Sequence, residues 1–417
     1  MNAPVTIKGW CPGALRPMMS GDGLLVRVRI RDATLRPADT LALTDMARRF
    51  GNGAIDLTRR ANLQLRGVRE AHLPALTEAL RGRGLIGAEE DAGQPVNIVT
   101  SPLAGRDATM AFDPRPVACQ IETRLLADGI FRALPSKFGF AIDGGGALPL
   151  GDTDADVRLR ATGDSEHIAI QLAGSSRCAI VGVEDAANAA LDLTRAFLTL
   201  RAGERRVRAL VERLGDDAVF LAADVTLRGD VCDPPEPNHL RPPGLFQLDG
   251  HWLLGVAAPF GAWNADDLAA VAGIAAESVD ATLRITPSRV VLIAGLSHDA
   301  AMRALDELAS RALIVEPDDS RLSIACCAGA PACEAASVPT RNVAQALAGS
   351  VGPSTSIALH VAGCAKGCAH PHSAPLTLVG HAGLYDLIVG DRADAMPDLA
   401  GLDFNEAILQ ARKMLSS

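Results

Sequence analysis

The sequence predicts a duplicated α+β fold, in which a small unit and a larger mixed α/β unit each occur twice about a pseudo-two-fold relation. Two observations carry this expectation. The stretch from Asp22, "DGLLVRVRI", then "ADTLALTDMARRF", then "GAIDLTRRANLQLRGV", returns from Asp249 as "DGHWLLGVAAPFG", "NADDLAAVAGIAA" and "VDATLRITPSRVVLIAGL" at nearly the same spacing. Repetition of this kind marks a repeated structural unit. Between the copies lies "CDPPEPNHLRPPG", Cys232 to Gly244, whose prolines suit neither a helix interior nor a central strand and read as a linker.

Taken in order, the first small unit spans 12–75. "LLVRVRI" and "LQLRGV" alternate with the period of two that suits half-buried strands, and "ADTLALTDMARRF" places Asp near its start, as a helix N-terminus favours. A larger α/β unit spans 85–230 and ends in the apolar-periodic helix "AANAALDLTRAFLTLRA". The linker occupies 231–243. The second small unit, 244–300, repeats strand, loop, helix, strand, Thr-containing turn and strand. The second large unit covers 315–400, and 401–417 closes the chain as a helix. A crevice between the halves is the natural place for a ligand.

Composition narrows the function classes. Of 417 residues 48% are apolar and 21% charged, as in an ordinary soluble protein. The net charge of −9 argues against a general nucleic-acid binder, so an anionic ligand would need a local cluster of Arg and Lys. The N-terminus carries no apolar signal region, and no run is long enough to span a membrane. A cytoplasmic protein is expected, with neither nucleic acid nor membrane as partner. In that compartment clustered cysteines hold metal more often than they form disulfides.

Five of nine cysteines fall in "CCAGAPACEAA" and "GCAKGCAHPH". Cys327 and Cys333 enclose five residues, Cys364 and Cys368 three, and Cys326 is adjacent to the first. A zinc knuckle would be tighter. The small residues around these thiols let the backbone approach a bulky group, and four thiolates are the usual complement of a 4Fe–4S cluster. Cys11, Cys119, Cys178 and Cys232 are isolated and read as core filler.

C-x5-C followed by C-x3-C at the end of a duplicated chain resembles the sulfite and nitrite reductase family. The resemblance implies that family's fold, with two ferredoxin-like half-domains each followed by a larger α/β domain. It also implies a 4Fe–4S cluster on Cys327, Cys333, Cys364 and Cys368, the last of which bridges to sirohaem iron in the reductases. "LTRRANLQLRG" is similar to the family's Thr-x-Arg-x-x-x-Gln segment, which puts Thr58, Arg60 and Gln64 at the tetrapyrrole site. "LPSKFGFAIDGGG" likewise implies Lys137 there. Two cationic positions of the reductases are Gly139 and Val96 in this chain, which speaks against reduction of a small oxyanion.

"CPGALRPM", "SPLAGRD", "LPSKFGFAIDGG" and "GCAKGCAHP" resemble instead the family's cobalamin-pathway branch, the precorrin-3B synthases. That resemblance implies a monooxygenase that hydroxylates the tetrapyrrole precorrin-3A at a meso carbon with closure of a γ-lactone, using O2. A mononuclear non-haem iron is a further candidate cofactor and NADH a candidate ultimate donor. A sirohaem-dependent sulfite or nitrite reductase is the alternative, and a non-catalytic tetrapyrrole or Fe–S carrier a third reading.

A carboxylate-fringed macrocycle calls for guanidinium groups, which bind carboxylates through paired hydrogen bonds. Arg27, Arg29 and Arg31 recur at every second residue, the spacing that projects from one strand face. Arg60 and Gln64, with Lys137, complete the expected substrate set. For Arg31 and Arg66, surface and ligand roles stand level. His370 and His372 read as ordinary hydrogen-bonded histidines ahead of iron ligands, and Lys366 either offsets cluster charge or points to solvent. No G-x-G-x-x-G opens a strand-to-helix turn, so a separate electron-donor protein is expected.

Overall fold

The computed structural model describes residues 12–87, 97–151, 153–231, 240–354 and 356–415. Val96, Cys11, Cys232 and most of the expected linker lie outside them. The first repeat runs β1 (Met18–Ser20), β2 (Gly23–Val28), β3 (Thr34–Leu35), α1 (Pro37–Phe50), β4 (Ala54–Leu57), β5 (Leu63–Val68) and α2 (Leu73–Gly82). Helix α2 thus straddles the boundary expected at residue 75. The first large unit contains β6 (Ile98–Thr100), α3 (Pro114–Ala127), β7 (Phe140–Asp143), β8 (Val157–Ala161), β9 (His167–Leu172) and β10 (Arg177–Gly182). It continues through α4 (Ala186–Leu200), α5 (Val207–Leu214) and α6 (Asp216–Ala222) to β11 (Arg228–Val231).

The second repeat comprises β12 (Gly244–Leu248), β13 (His251–Ala257), β14 (Ala262–Asn264), α7 (Ala265–Ala276), β15 (Leu283–Ile285), β16 (Val290–Leu296) and α8 (His298–Ser310). The second large unit holds β17 (Ile324–Cys326), α9 (Thr340–Leu347), β18 (Leu359–Ala362), β19 (Leu376–His381), β20 (Leu384–Val389), β21 (Leu399–Leu402) and α10 (Phe404–Leu415). Both large units combine parallel and antiparallel strands: β6, β7 and β8 run parallel, as do β17, β18 and β19, and the remaining strands of each sheet add antiparallel.

The repeats interlock. Their sheets are ordered β1-β2-β5-β4-β14 and β12-β13-β16-β15-β3, so each lends its short edge strand to the other. Buried side chains of both repeats, Val26, Leu43, Ile55 and Leu65 with Leu254, Trp263, Leu268 and Ile293, form one apolar core. Apolar positions at alternate strand residues and on one helix stripe are buried there, the chief favourable term in holding the halves together.

The duplication extends to single hydrogen bonds. Thr58 N donates to Asn62 O at 2.9 Å and Thr286 N to Val290 O at 2.9 Å. Ala61 and Arg289, the equivalent turn positions, both adopt positive φ, 53° and 66°. Strand β2 slips register on β5 between Leu24 and Val26, and β13 slips on β16 between Trp252 and Leu254. The registers then give two equivalent cross-strand rows: Arg27, Gln64 and Asp56 in the first sheet, Gly255, Leu292 and Arg284 in the second.

One expectation about the first sheet fails. Strand β2 ends at Val28, and the chain then turns through Asp32 and Ala33 at φ 49° and 52°. Arg27 alone of the three alternating arginines therefore stands on the sheet. Arg29 pairs with Glu122 on α3 at 2.7 Å and does not line the cavity described below, and Arg31 is exposed. Cys178 is buried, but it is disulfide-bonded rather than simple core filler.

Candidate active site

The four thiols are gathered by topology. Strands β17 and β18 are parallel neighbours, Cys326 opposite Val361, so the loops that follow them leave the same sheet edge. Gly363 N donates to Cys327 Sγ at 3.2 Å, and Thr340 Oγ1, at the start of α9, donates to Cys327 O at 2.8 Å. Gly329 (φ 67°) lets this loop fold against Thr340, where a Cβ would collide. Burial first, then the charges of Cys333 and Cys327, raise the pKa of Cys364. Burial raises that of Cys368, where Lys366 opposes it and Cys364, Cys327 and Cys333 add to it. The four sulfurs therefore share one electrostatic neighbourhood.

Among the described residues no three His, Cys, Asp or Glu groups close on a single metal ion. A four-iron cluster makes a different demand: one iron at each thiolate, hence sulfurs held farther apart than around one tetrahedral ion. Four thiols on two neighbouring loops supply the number and kind of ligand that group takes. Cys326 is not a fifth member. Its Sγ points to Cys327 O at 3.2 Å, and burial, the largest influence on it, pushes its thiol up to about 12. His370 Nε2 lies 3.2 Å from Ser373 O, and its ring meets those of His360 and His372 edge-on.

Beside the thiols opens a cavity of about 1010 Å³, reached by all four units of the chain. Arg27, Arg60, Gln64 and Lys137 line it, with Cys327 and Cys368. Cys333 and Cys364 are not part of its lining. Arg27 Nε and Nη2 donate to the Gln64 amide oxygen at 3.2 and 2.8 Å, and Arg60 Nη2 donates to Lys137 O at 2.9 Å. The first repeat and the first large unit thus meet at the cavity wall. Leu57, Leu148, Leu150, Phe260, Pro287 and Pro371 supply apolar surface.

The lining carries nine cationic side chains against two carboxylates, Asp56 and Asp154, in a chain of net charge −9. Burial first, and the neighbouring Arg59 charge next, lower the pKa of the Arg289 guanidinium, which also lines the cavity. Arg66 reaches the lining but is committed to Asp22, Asp56 and Ala332 O. Arg206 and Arg341, the latter paired with Asp56 at 2.6 Å, carry no sequence signal and were missed. Arg59 was signalled only by its place beside Arg60. The arrangement can hold a large polyanion by its rim, against apolar walls, next to a redox-capable thiol quartet.

A family model described as "Nitrite/Sulfite reductase ferredoxin-like half domain" matches residues 16–83 and 246–311, the two repeats. A curated protein named precorrin-3B synthase, from Sinorhizobium sp, is 33% identical over 94% of this chain and 84% of its own length. A ferredoxin–nitrite reductase from Leptolyngbya laminosa is 26% identical over 89% of this chain and 79% of its own. The solved structure of the NirA protein of Mycobacterium tuberculosis superposes with a TM-score of 0.70 at 20% identity, covering 93% of this chain and 79% of that one, and confirms the fold. Repeats, fold and relatives agree: the chain belongs to the nitrite/sulfite reductase family, alongside precorrin-3B synthase.

Proposed function

We propose that the chain is a precorrin-3B synthase, an oxygen-dependent monooxygenase of aerobic cobalamin biosynthesis that hydroxylates precorrin-3A at a meso carbon as a ring acetate closes to a γ-lactone. The observation that carries the reading is the cation-rich cavity beside the thiol quartet. At about 1010 Å³ it stands at the upper end of the range for small-molecule sites, roughly 300–1,000 Å³, and has room for a tetrapyrrole. Gly139 and Val96, in place of two reductase cations, favour the macrocycle as substrate over an oxyanion reduced on sirohaem. The precorrin-3B synthase relative spans nearly the whole chain and supports the same choice.

In this reaction one atom of O2 enters the macrocycle and the other leaves as water, which takes two electrons and two protons. A 4Fe–4S cluster held by Cys327, Cys333, Cys364 and Cys368 supplies single electrons when bound. Arg27, Arg60 and Lys137 hold ring carboxylates, and Gln64, fixed by Arg27, presents its amide N–H groups to the ligand. The apolar walls exclude water from the ring faces. A separate electron-donor protein, with NADH as ultimate donor, and a cytoplasmic location belong to the same proposal; among the described residues no helix is long and apolar enough to cross a membrane. No residues are assigned to a second iron.

The test is the spectrum of anaerobically purified protein with an acid–acetone extract, followed by turnover of precorrin-3A under labelled O2. An iron–sulfur absorption without extractable sirohaem, and one labelled oxygen atom in the product, are expected. Stoichiometric sirohaem with sulfite or nitrite reduction would overturn the proposal in favour of a reductase.

A further inference from the structure

We infer that Arg206 is a further carboxylate-binding arm of the cavity, and that Asp154 occupies this arm until a ligand carboxylate displaces it. The inference rests on the proposal that the cavity receives an anionic macrocycle.

Arg206 lies just before α5 and lines the cavity from the first large unit. Its two edges are used differently. Nε donates to Asp156 Oδ1 at 3.1 Å, and Asp156 is wholly buried, accepting also from Val207 N at 2.8 Å and Gly139 N at 3.1 Å. That edge is fixed. The other edge, Nη1 and Nη2, meets the two oxygens of Asp154 at 3.2 and 2.8 Å. Asp154 is 61% exposed, whereas Arg206 is 31% exposed.

This fork-to-fork geometry is the one a ring acetate or propionate would make with the same guanidinium. An exposed ion pair contributes little stability, so exchanging Asp154 for a ligand carboxylate sacrifices little, while the buried Asp156 contact keeps Arg206 aimed. Asp156 also accepts from the backbone two residues after Lys137, which holds Arg206 and Lys137 in one frame. Burial alone would raise the Asp154 pKa, but the Arg206 hydrogen bonds and the charges of Arg206, Arg60 and Arg59 outweigh it and lower it. Asp154 therefore stands, ionised, among the cations that a macrocycle rim would engage.

The stable tetrapyrrole uroporphyrin III, which carries both acetates and propionates, serves as probe, with Kd read by fluorescence on cluster-loaded protein. Asp154→Asn is expected to tighten binding roughly 3- to 10-fold, and Arg206→Gln to weaken it by about 10-fold. In the Arg206→Gln background, Asp154→Asn should change little. Tightening of equal size with and without Arg206 would mean that Asp154 only repels polyanions through space, and would overturn the inference. So would unchanged affinity in Asp154→Asn. Failure of the unaltered protein to bind the probe would instead remove the macrocycle reading of the cavity, and this inference with it.

Discussion

Replacing Arg66 by Met tests how the cysteine loop is joined to the first repeat. The Arg66 guanidinium is 4% exposed. It donates from Nε and Nη2 to the Asp22 oxygens at 2.9 and 3.0 Å, from Nη1 to Asp56 at 3.2 Å, and from Nη2 to Ala332 O, between Cys327 and Cys333. Met keeps much of the volume and leaves the carboxylates behind. Removing one partner of a buried pair costs about 3–5 kcal/mol. Two of the partners here keep a strong second contact: Asp56 has Arg341 at 2.6 Å, and Ala332 O has Ser20 Oγ at 2.6 Å. Among the described residues Asp22 keeps only Asn52 Nδ2 at 3.3 Å, so the loss should fall near the low end, about 3 kcal/mol. For a chain of this length melting as one unit that is a drop of roughly 3 °C in Tm. Adding Asp22→Asn removes the orphaned charge and should restore about 1–2 kcal/mol. Calorimetry of cluster-loaded protein reads the shift, and visible absorption during chelation reads cluster retention, which should fall in the single variant. A Tm within about 1 °C of the parent, or no recovery in the double variant, would refute the reasoning.

Three further outcomes are expected. Cys364→Ser and Cys368→Ser should abolish the iron–sulfur absorption, while Cys326→Ser, at a thiol outside the quartet, should retain it; iron and sulfide analysis checks both. Arg60→Ala should weaken tetrapyrrole binding by about 10-fold, roughly 1.4 kcal/mol, without bleaching the cluster, and unchanged Kd would remove Arg60 from the site. Burial, then His370, pushes the fully buried His360 down to about 4, and neither ring nitrogen has a partner among the described residues. The folded protein thus keeps His360 neutral while the unfolded chain protonates it below about pH 6.5, so this residue lowers stability progressively as pH falls from about 6.5 to about 4. His360→Leu should flatten that part of the pH–Tm profile, and an unaltered slope would contradict the assignment.

Much of the fold was legible because its signals are local. "LLVRVRI" and "LQLRGV" alternate, the helices carry apolar stripes, and the Thr-containing turns repeat. The exchange of edge strands was not legible: β3 and β14 are two and three residues long, too short for any period, and their partners are chosen by tertiary packing. Arg29 misled because "VRVRIR" continues the strand alternation past Val28, where the chain turns without the glycine or asparagine that usually announces positive φ. At the site, Arg60, Gln64 and Lys137 stood in motifs, whereas Arg206, in a basic run with Arg205 and Arg208, and the isolated Arg341 stand beside helix starts with no motif around them. Only the packing of the large units against the repeats brings those two to the cavity.

The asymmetry of the two repeats accounts for the cavity opening on the first sheet and not on the matching face of the second. Equivalent rows cross equivalent strands, yet the first presents Arg27, Gln64 and Asp56 and the second Gly255, Leu292 and Arg284. A charged row cannot be covered by apolar side chains without leaving buried polar groups unsatisfied, so the first face stays open to a polar ligand. Leu292, with Leu253, Val290 and Ala294, is instead covered by Leu103, and Met110, Leu148 and Leu240 pack against the same cluster. Arg284 completes the closure by donating to Pro102 O and Ala104 O at 3.1 and 2.9 Å, pinning the covering loop. Burial, then Arg106 and Arg115, lowers its pKa to about 10, so it remains a charged donor at neutral pH. At the matching position Asp56 binds Arg66 and Arg341 and ties the first sheet to the cysteine domain. A single exchange of sign, Asp56 for Arg284, therefore accompanies the two fates of one sheet face: joined to the cysteine-bearing domain and open in the first repeat, sealed by its own chain in the second.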